Sequence, residues 1–457
     1  MDISYEEQLK LKQKYIDGLL KDIGKPMPIM GMDAPKHYRN KVNRELCVDR
    51  KGHLHCGCYE SGSHRVVDVE HCIIENSDSQ NIIETITQLI YSFKIRIYDE
   101  DRGIGLLRHI LVRKGFATGQ IMVVLVVTSP VFPSKNNFVK ALRKVHPDIS
   151  TVVLNINDKN TSMVLGERNI PIYGPGYIKD RLCGLEFKLS PTSFYQVNPV
   201  QTEKLYETAL EFAGLNKEMT VIDAYCGIGT IGLCAAAKAG RVIGVELNRE
   251  AIKDAKANAT ANHIENVSFY NRDAGEFMKD MAAKKVKADV VIMDPPRSGS
   301  SREFMDSVAM LSPARVVYVS CGPQSLANDL KYMIKKGYRV EKIQPVDMFP
   351  YTNHVETVCL LSKLSEAKHS IDVKLDMDEL DVTSAETKAT YEEIKAYVLE
   401  QTGLQVSSLY IAQVKRECGI IERENYKKPK AEDANQPQCP EDKRKAIKEA
   451  LIHFGMI

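Results

Sequence analysis

Between about residues 190 and 363, short β-branched runs alternate with helical stretches, and that alternation leaves few folds open. Thr220–Asp223, Val242–Glu246, Val267–Tyr270, Asp289–Asp294 and Val316–Ser320 are such runs, with helical segments such as Asn248–Asn262 between them. Strands of this kind joined by helical crossovers make a parallel sheet covered on both faces, an α/β, Rossmann-like domain. The last two runs, Tyr338–Ile343 and Thr357–Leu361, have only a short loop between them, which predicts an antiparallel edge.

At 457 residues the chain needs more than one domain. Residues 1–34 read as an N-terminal helix: Ser4 and Glu7 have capping-box spacing, Leu9, Ile16, Leu19 and Leu20 repeat near the helical period, and Gly24-Lys-Pro26 stops it. Residues 35–185 read as β-rich, with runs at Arg65–Val69, Ile121–Thr128 and Thr151–Ile156. Basic residues cluster there (Arg39 and Lys41, His64 and Arg65, then Arg108, His109, Arg113 and Lys114) beside Tyr38, Tyr59 and Phe116, the pattern of an RNA-recognition surface or of a solvated face. Residues 364–385 are acidic and read as a linker, and 386–457 as a helical extension. In the extension Thr390 and Glu393 cap one helix, and a second begins at Ser407 and carries Lys415 and Arg416. The spacing fits a helix-turn-helix and equally a plain hairpin.

Composition narrows the class. An apolar share of 44% and a charged share of 27% are those of an ordinary globular protein, and the net charge of +2 means that any nucleic-acid contact must be local. The longest apolar run, Ile121–Val127, is far too short to span a bilayer, and the first residues carry Glu6 and Glu7 with no apolar signal core. Eleven irregularly spaced cysteines do not make a disulfide framework. A cytoplasmic protein with no membrane attachment and no obligate protein partner is expected.

The segment Asp223-Ala-Tyr225-Cys-Gly227-Ile-Gly229-Thr230-Ile-Gly232 joins the first strand of the α/β region to its helix, and Glu246 closes the next strand 19 residues after Gly227. The Gly-x-Gly-x-x-Gly pattern by itself fits a dinucleotide site. A carboxylate at the mouth of the loop, however, repels a pyrophosphate and suits an ammonium. S-adenosylmethionine has an ammonium and no phosphate, and Glu246 can accept from its ribose hydroxyls. Asp273, after the third strand, is placed to reach the adenine edge. The methyl donor is therefore expected over a nicotinamide cofactor.

Two further strand ends carry chemistry. Asp294-Pro-Pro-Arg297 ends the fourth strand, with Arg297 where adenine N-methylases hold an aromatic, and Ser320-Cys321-Gly322-Pro323 ends the fifth. Phe349-Pro-Tyr-Thr-Asn-His354-Val-Glu356 then delivers a carboxylate just before the final strand. A thiol and a carboxylate together suit methylation at C5 of uracil. Thiolate addition across C5–C6 makes C5 nucleophilic, and a base must afterwards take the C5 proton. Cys321 and Glu356 fit those roles. A lowered thiol pKa is expected, with Arg297 as the source of positive charge.

At this point the residues resemble a known family. Ser193-Phe194-Tyr195-Gln196-Val197-Asn198, the Asp223–Gly229 loop, Asp294–Arg297, Ser320–Pro323 and His354–Glu356 look like the RNA 5-methyluridine methyltransferases, in order and spacing, over about residues 35–363. The resemblance implies Cys321 as nucleophile and Glu356 as base. It places Gln196, Tyr225, Glu246 and Asp294 around cofactor and substrate, with Phe194 stacking near a flipped base. Asn198, Arg39 and Arg297 join the substrate side, and Asp223, Gly227, Gly229, Thr230 and Asp273 the cofactor side. Tyr38-Arg-Asn-Lys41 looks more like the ribosomal-RNA branch, so 23S rRNA is the expected partner, with transfer RNA or a non-catalytic RNA-binding protein as alternatives. Members of that branch usually begin with a small β-barrel and three clustered cysteines of an iron–sulfur site. Here only Cys72 resembles a ligand, with Cys56 and Cys58 at the wrong spacing, so no cluster and no metal are expected.

Overall fold

The computed structural model describes residues 3–60, 62–63, 65–159, 161, 163–364, 391–418, 439–454 and 456. They fall into two compact units, one ending near residue 364 and one beginning at Tyr391.

The first unit opens with helix α1 (Tyr5–Leu20), whose capping box forms as its sequence dictates: Ser4 Oγ accepts from the Glu7 amide while the Glu7 side chain accepts from the Ser4 amide. A seven-stranded sheet follows, built from β1 (Lys41–Val48), β2 (Leu54–Tyr59), β3 (Val66–Asp68), β4 (Leu107–Lys114), β5 (Ile121–Val127), β6 (Ile149–Ile156) and β7 (Arg168–Tyr173) in the order β3-β2-β1-β4-β5-β6-β7. Only β5 and β6 are parallel, because α3 (Lys135–Val145) crosses between them. With α2 (Ser77–Ser92) this makes the region mixed α/β, where the sequence reading has strands alone. Ile82, Ile83, Ile86 and Ile90 lie on one face of α2 and are all buried.

β5 explains how this sheet joins the rest of the unit. All seven residues are buried, and they alternate between two cores. Ile121, Val123, Leu125 and Val127 pack under α2 and α3. Met122, Val124 and Val126 pack with Leu205, Phe187 and Val221 of the following region. Each such side chain contributes about 1.5–3 kcal/mol by leaving water, on both faces of one strand. The basic cluster of β4 is consumed in the same way. Arg108 donates to the Asn157 and Lys159 carbonyls, Arg113 to those of Ser190 and Ser193, and His109 is buried beside them. These three do not face solvent, which corrects their reading as an RNA surface; His64 lies outside the described residues.

A hairpin, β8 (Ile178–Leu182) and β9 (Leu185–Leu189), leads into α4 (Pro199–Ala213) and the second seven-stranded sheet. Its elements run β10 (Thr220–Ala224), α5 (Thr230–Ala236), β11 (Arg241–Glu246), α6 (Arg249–Ala261), β12 (Val267–Asn271), α7 (Ala274–Ala283), β13 (Val290–Met293), α8 (Arg302–Leu311), β14 (Arg315–Ser320), α9 (Pro323–Lys335), β15 (Tyr338–Val346) and β16 (Glu356–Lys363). The order is β12-β11-β10-β13-β14-β16-β15, parallel from β12 to β14 and antiparallel at the β16–β15 edge. Chain order reverses between β10 and β13, so their carboxyl ends frame the crevice where open α/β sheets bind ligands.

In the second unit α10 (Tyr391–Thr402), α11 (Ser408–Glu417) and α12 (Glu441–His453) share a core of Ile394, Val398, Ile411, Val414, Ile447 and Leu451. Ser407 caps α11 by accepting from the Tyr410 amide, as expected; the Thr390 cap lies outside the described residues. Lys415, expected on an open face, is buried with its ammonium 4.4 Å from the centre of the Tyr391 ring. Among the described residues no helix is long and apolar enough to cross a membrane.

Candidate active site

The loop after β10 folds back sharply, with Tyr225, Gly227 and Gly229 all at positive φ. Gly232, in the first turn of α5, sits so close to Asp223 that a Cβ there would meet its carboxylate at 2.7 Å. That contact is a bond: the Gly232 amide donates to Asp223 Oδ2 at 2.8 Å. Burial nevertheless pushes the Asp223 carboxyl up to about 8. Glu246, ending the neighbouring strand, accepts from the Gly227 amide at 3.1 Å and the Asn248 amide at 2.7 Å. Thr230 pairs with the Tyr206 hydroxyl, Tyr225 with that of Ser300, and Asp273 caps α7 through the Glu276 amide. A Cβ on Gly227 would touch nothing, so the loop borders open space. From Asp223 to Gly232 there is no basic residue. The Glu246 carboxylate beside an open glycine loop, with an Asp223 carboxyl that ionises readily only against a positive charge, fits a cationic amino-acid cofactor better than a pyrophosphate.

The second cluster lies one strand over. The Asp294–Arg297 loop is held from α9, where Ser325 Oγ donates to the Arg297 carbonyl and Asp329 accepts from the Ser300 amide. Cys321 follows β14 directly and precedes the first turn of α9. In the antiparallel ladder the last pair is Ser320 with Thr357, Cys321 and Glu356 are the next residues along the two chains, and Glu356 is the charge that acts most on the thiol. The antiparallel edge is thus what brings Cys321 and Glu356 together. Glu356 is 2% exposed, and its Oε2 has no hydrogen-bond partner among the described residues.

Charge in this corner is crowded. Burial and Asp294 push the Glu356 carboxyl up to about 8, against Arg297, and burial raises Asp294 to about 7. Burial, Glu356 and Asp294 raise the Cys321 thiol to about 11, and Arg297 offsets only part of this. The expected low thiol pKa is therefore corrected: burial first, and then two carboxyl groups, outweigh one guanidinium. The His354 imidazole is held below its usual range by burial and then by Arg297, Lys12 and Arg39, of which the first two border the same cleft.

That cleft, about 590 Å³, is bordered by Cys321, Arg297, Gln324, His354 and one face of α1. Sequence reasoning missed α1 altogether as part of the site. Lys12 donates to Asp347 and the Phe349 carbonyl, Gln8 accepts from the Tyr351 amide, and Tyr38 donates to the Pro350 carbonyl, so the segment leading to Glu356 is pinned on three sides.

Phe194 is 65% exposed on a loop fixed by Arg113 and by Asp254, which accepts from both Ser190 and Ser193 hydroxyls. Gln196 is buried next to it, its carbonyl accepting from Asn40. Asn198 departs from the substrate role expected of it. It is fully buried, caps α4 through the Gln201 amide and donates to the Met348 carbonyl, so neither end of its amide is left for a ligand.

The family model described as tRNA (Uracil-5-)-methyltransferase matches residues 4–364. An uncharacterised RNA methyltransferase of Halalkalibacterium halodurans is 42% identical over 364 residues, covering 79% of each chain. Another, from Caldanaerobacter subterraneus subsp. tengcongensis, is 41% identical over 373 residues, covering 79% of this chain and 81% of its own. Among solved structures, the Pyrococcus abyssi tRNA (uracil-54, C5)-methyltransferase in complex with S-adenosyl-L-homocysteine is 27% identical. It superposes with a TM-score of 0.66 over 79% of this chain and 84% of that one. The chain belongs to the tRNA (uracil-5-)-methyltransferase family and is an RNA methyltransferase built on the Rossmann-like fold of S-adenosylmethionine-dependent enzymes.

Proposed function

We propose that this protein methylates C5 of a uridine in RNA through a transient bond between Cys321 Sγ and C6, with Glu356 as the base, and that its substrate is 23S ribosomal RNA. The observation that carries the reading is the register that brings Cys321 and Glu356 together at the edge of a cationic cleft. S-adenosylmethionine, when bound, supplies an electrophilic methyl group. Asp223, Glu246 and the open loop at Gly227 are the groups suited to hold it.

Cys321 gives up its thiol proton to solvent, and the thiolate adds to C6, breaking the C5–C6 π bond and moving its electrons through C5 to the O4 carbonyl. Arg297 carries the nearby positive charge that favours this enolate. Once C5 carries the methyl group, ionised Glu356 takes the C5 proton. The C–H electron pair restores the double bond, and the C6–S bond breaks to return the thiolate. Phe194, exposed on its braced loop, offers a face to the unstacked base.

Resemblance of Tyr38–Lys41 to the ribosomal branch supports 23S rRNA. Transfer RNA is the second reading, favoured by the tRNA named in the matching family model and in the Pyrococcus abyssi enzyme. The eleven unpaired cysteines suit action in the cytoplasm. Incubating the protein with labelled S-adenosylmethionine and either unmodified 23S rRNA or unmodified tRNA, then digesting to nucleosides, tests both readings. 5-Methyluridine from the ribosomal transcript alone supports the proposal, from tRNA alone moves the substrate, and from neither overturns the reaction.

A further inference from the structure

The wall of the cleft formed by α1 includes residues that the uracil chemistry leaves unused. Gln8, Leu11, Lys12 and Tyr15 border it at steps of three and four, a single helical stripe. Gln8 and Lys12 are buried and committed to the Tyr351 amide and Asp347. Leu11 and Tyr15 are 58% and 40% exposed, while Ile16 and Leu20 on the neighbouring stripe are fully buried in the core. A leucine and a tyrosine therefore face the space in front of Cys321, exposed among the described residues of the first unit. The same cleft is bordered by the exposed amides of Gln324 and Asn353, which have no hydrogen-bond partner among the described residues.

We propose that this wall binds a second nucleobase of the RNA, a direct neighbour of the target uridine, stacked on Tyr15 and Leu11 with its polar edge toward Gln324 and Asn353. The inference rests on the uracil-C5 reading and names its substrate class: a uridine in an unpaired segment whose neighbour is also free to leave the stack. Three observations favour a nucleobase here. A uridine that reaches Cys321 has left its neighbour with an unstacked face, and an aromatic–aliphatic surface beside the thiol covers that face in its place. A cleft of about 590 Å³ is of the size that holds a drug-sized ligand rather than a single small ring. Its rim carries the exposed Arg297, whose guanidinium suits a phosphate joining two nucleotides.

The test uses the full-length protein and a short single-stranded oligoribonucleotide spanning the uridine that the wild-type protein methylates. Tyr15→Ala should raise KM for this RNA about tenfold, the size expected for one base–aromatic stack, with kcat changed less than about twofold. Tyr15→Phe, which keeps the ring, should restore the wild-type KM. An abasic site at the stacked flank should raise the wild-type KM to a similar extent and add nothing further in Tyr15→Ala. Unchanged KM in both Tyr15→Ala and Leu11→Ala, or an abasic effect that adds fully to Tyr15→Ala, overturns the inference. A loss of self-association with KM unmoved also overturns it and gives the face to a second copy of the chain. A wild-type protein that makes no 5-methyluridine in any RNA defeats the reaction itself, whereas normal methylation with an unmoved KM defeats this inference alone.

Discussion

Lys12 Nζ lies 2.6 Å from Asp347 Oδ1, with the two side chains only 7% and 0% exposed. The same ammonium donates to the Phe349 carbonyl at 3.0 Å, and the Tyr5 hydroxyl takes the other carboxylate oxygen at 2.9 Å. A helix 335 residues distant in sequence thereby fixes the start of the segment that ends in Glu356. Desolvation lowers the Lys12 pKa despite its partner, so the pair serves position more than net stability.

Lys12→Met should therefore cost about 3–5 kcal/mol, because it strands a buried carboxylate, and should lower turnover by loosening the Glu356 segment. Adding Asp347→Asn should recover much of the stability, since no unpaired charge then remains. Urea unfolding of the single and double variants measures the first effect, and kcat on RNA the second. A wild-type midpoint for Lys12→Met would show that the ion pair does not brace this corner.

Much of the architecture is legible locally because local rules decide it. The runs from Thr220 to Ser320 have no competing period, and Ser4 with Glu7 forms its box wherever the helix goes. What stays hidden is non-local. Nothing within residues 5–20 says that the stripe of Gln8 and Lys12 meets Tyr351 and Asp347. No local signal sets Thr357 against Ser320, the step that makes Cys321 and Glu356 neighbours. Arg108 and Arg113 mislead for another reason: a charge is usually solvated, yet these two donate to buried carbonyls. The thiol pKa fails likewise, because burial and then two carboxyl groups brought in from separate strands outweigh the arginine nearby.

Cys321→Ala should abolish turnover and leave S-adenosylmethionine affinity nearly unchanged, since the thiol borders the RNA cleft and the glycine loop lies beyond Asp294 on another strand. Calorimetric titration of the cofactor beside a methylation assay checks this. Near-normal turnover in the alanine variant would remove the nucleophile from the proposal.

Protein purified without oxygen should contain no stoichiometric iron. Of the iron–sulfur ligands only Cys72 has a counterpart in the sequence, and no group of three or more His, Cys, Asp or Glu that could hold a metal exists among the described residues. Iron and acid-labile sulfide near four atoms per chain would show that other cysteines have assembled a cluster.

A chain ending at Leu364 should keep its cofactor affinity and melting behaviour, because the helices after Tyr391 have a core of their own. If those helices touch RNA they do so through exposed Arg416, Lys445 and Lys448, Lys415 being buried. Removing one cation–phosphate pair lowers the salt slope of binding by roughly 0.7–0.9. RNA affinity at two salt concentrations reads this directly, and an unchanged slope assigns the extension no role at the phosphates.

Glu356 should give the reaction its pH dependence. The base must be ionised, and its carboxyl is pushed up to about 8, so kcat should rise from pH 6 toward pH 9. The raised thiol acts in the same direction. The effect on stability has the opposite sign. An unfolded glutamate ionises near 4.5 and the folded one near 8, so the folded state binds the extra proton and stability falls as pH rises between those values. Glu356→Gln cannot ionise, so its melting temperature should exceed that of the wild type by more at pH 9 than at pH 6. The variant should also form the methylated covalent adduct and release it slowly, since an amide cannot take the C5 proton. Thermal scans at the two pH values and a denaturing gel after incubation with RNA and S-adenosylmethionine test both halves. Equal melting differences at pH 6 and 9 would show that Glu356 is not the buried acid, and arrested methylation with no protein–RNA species on the gel would take the role of base from it.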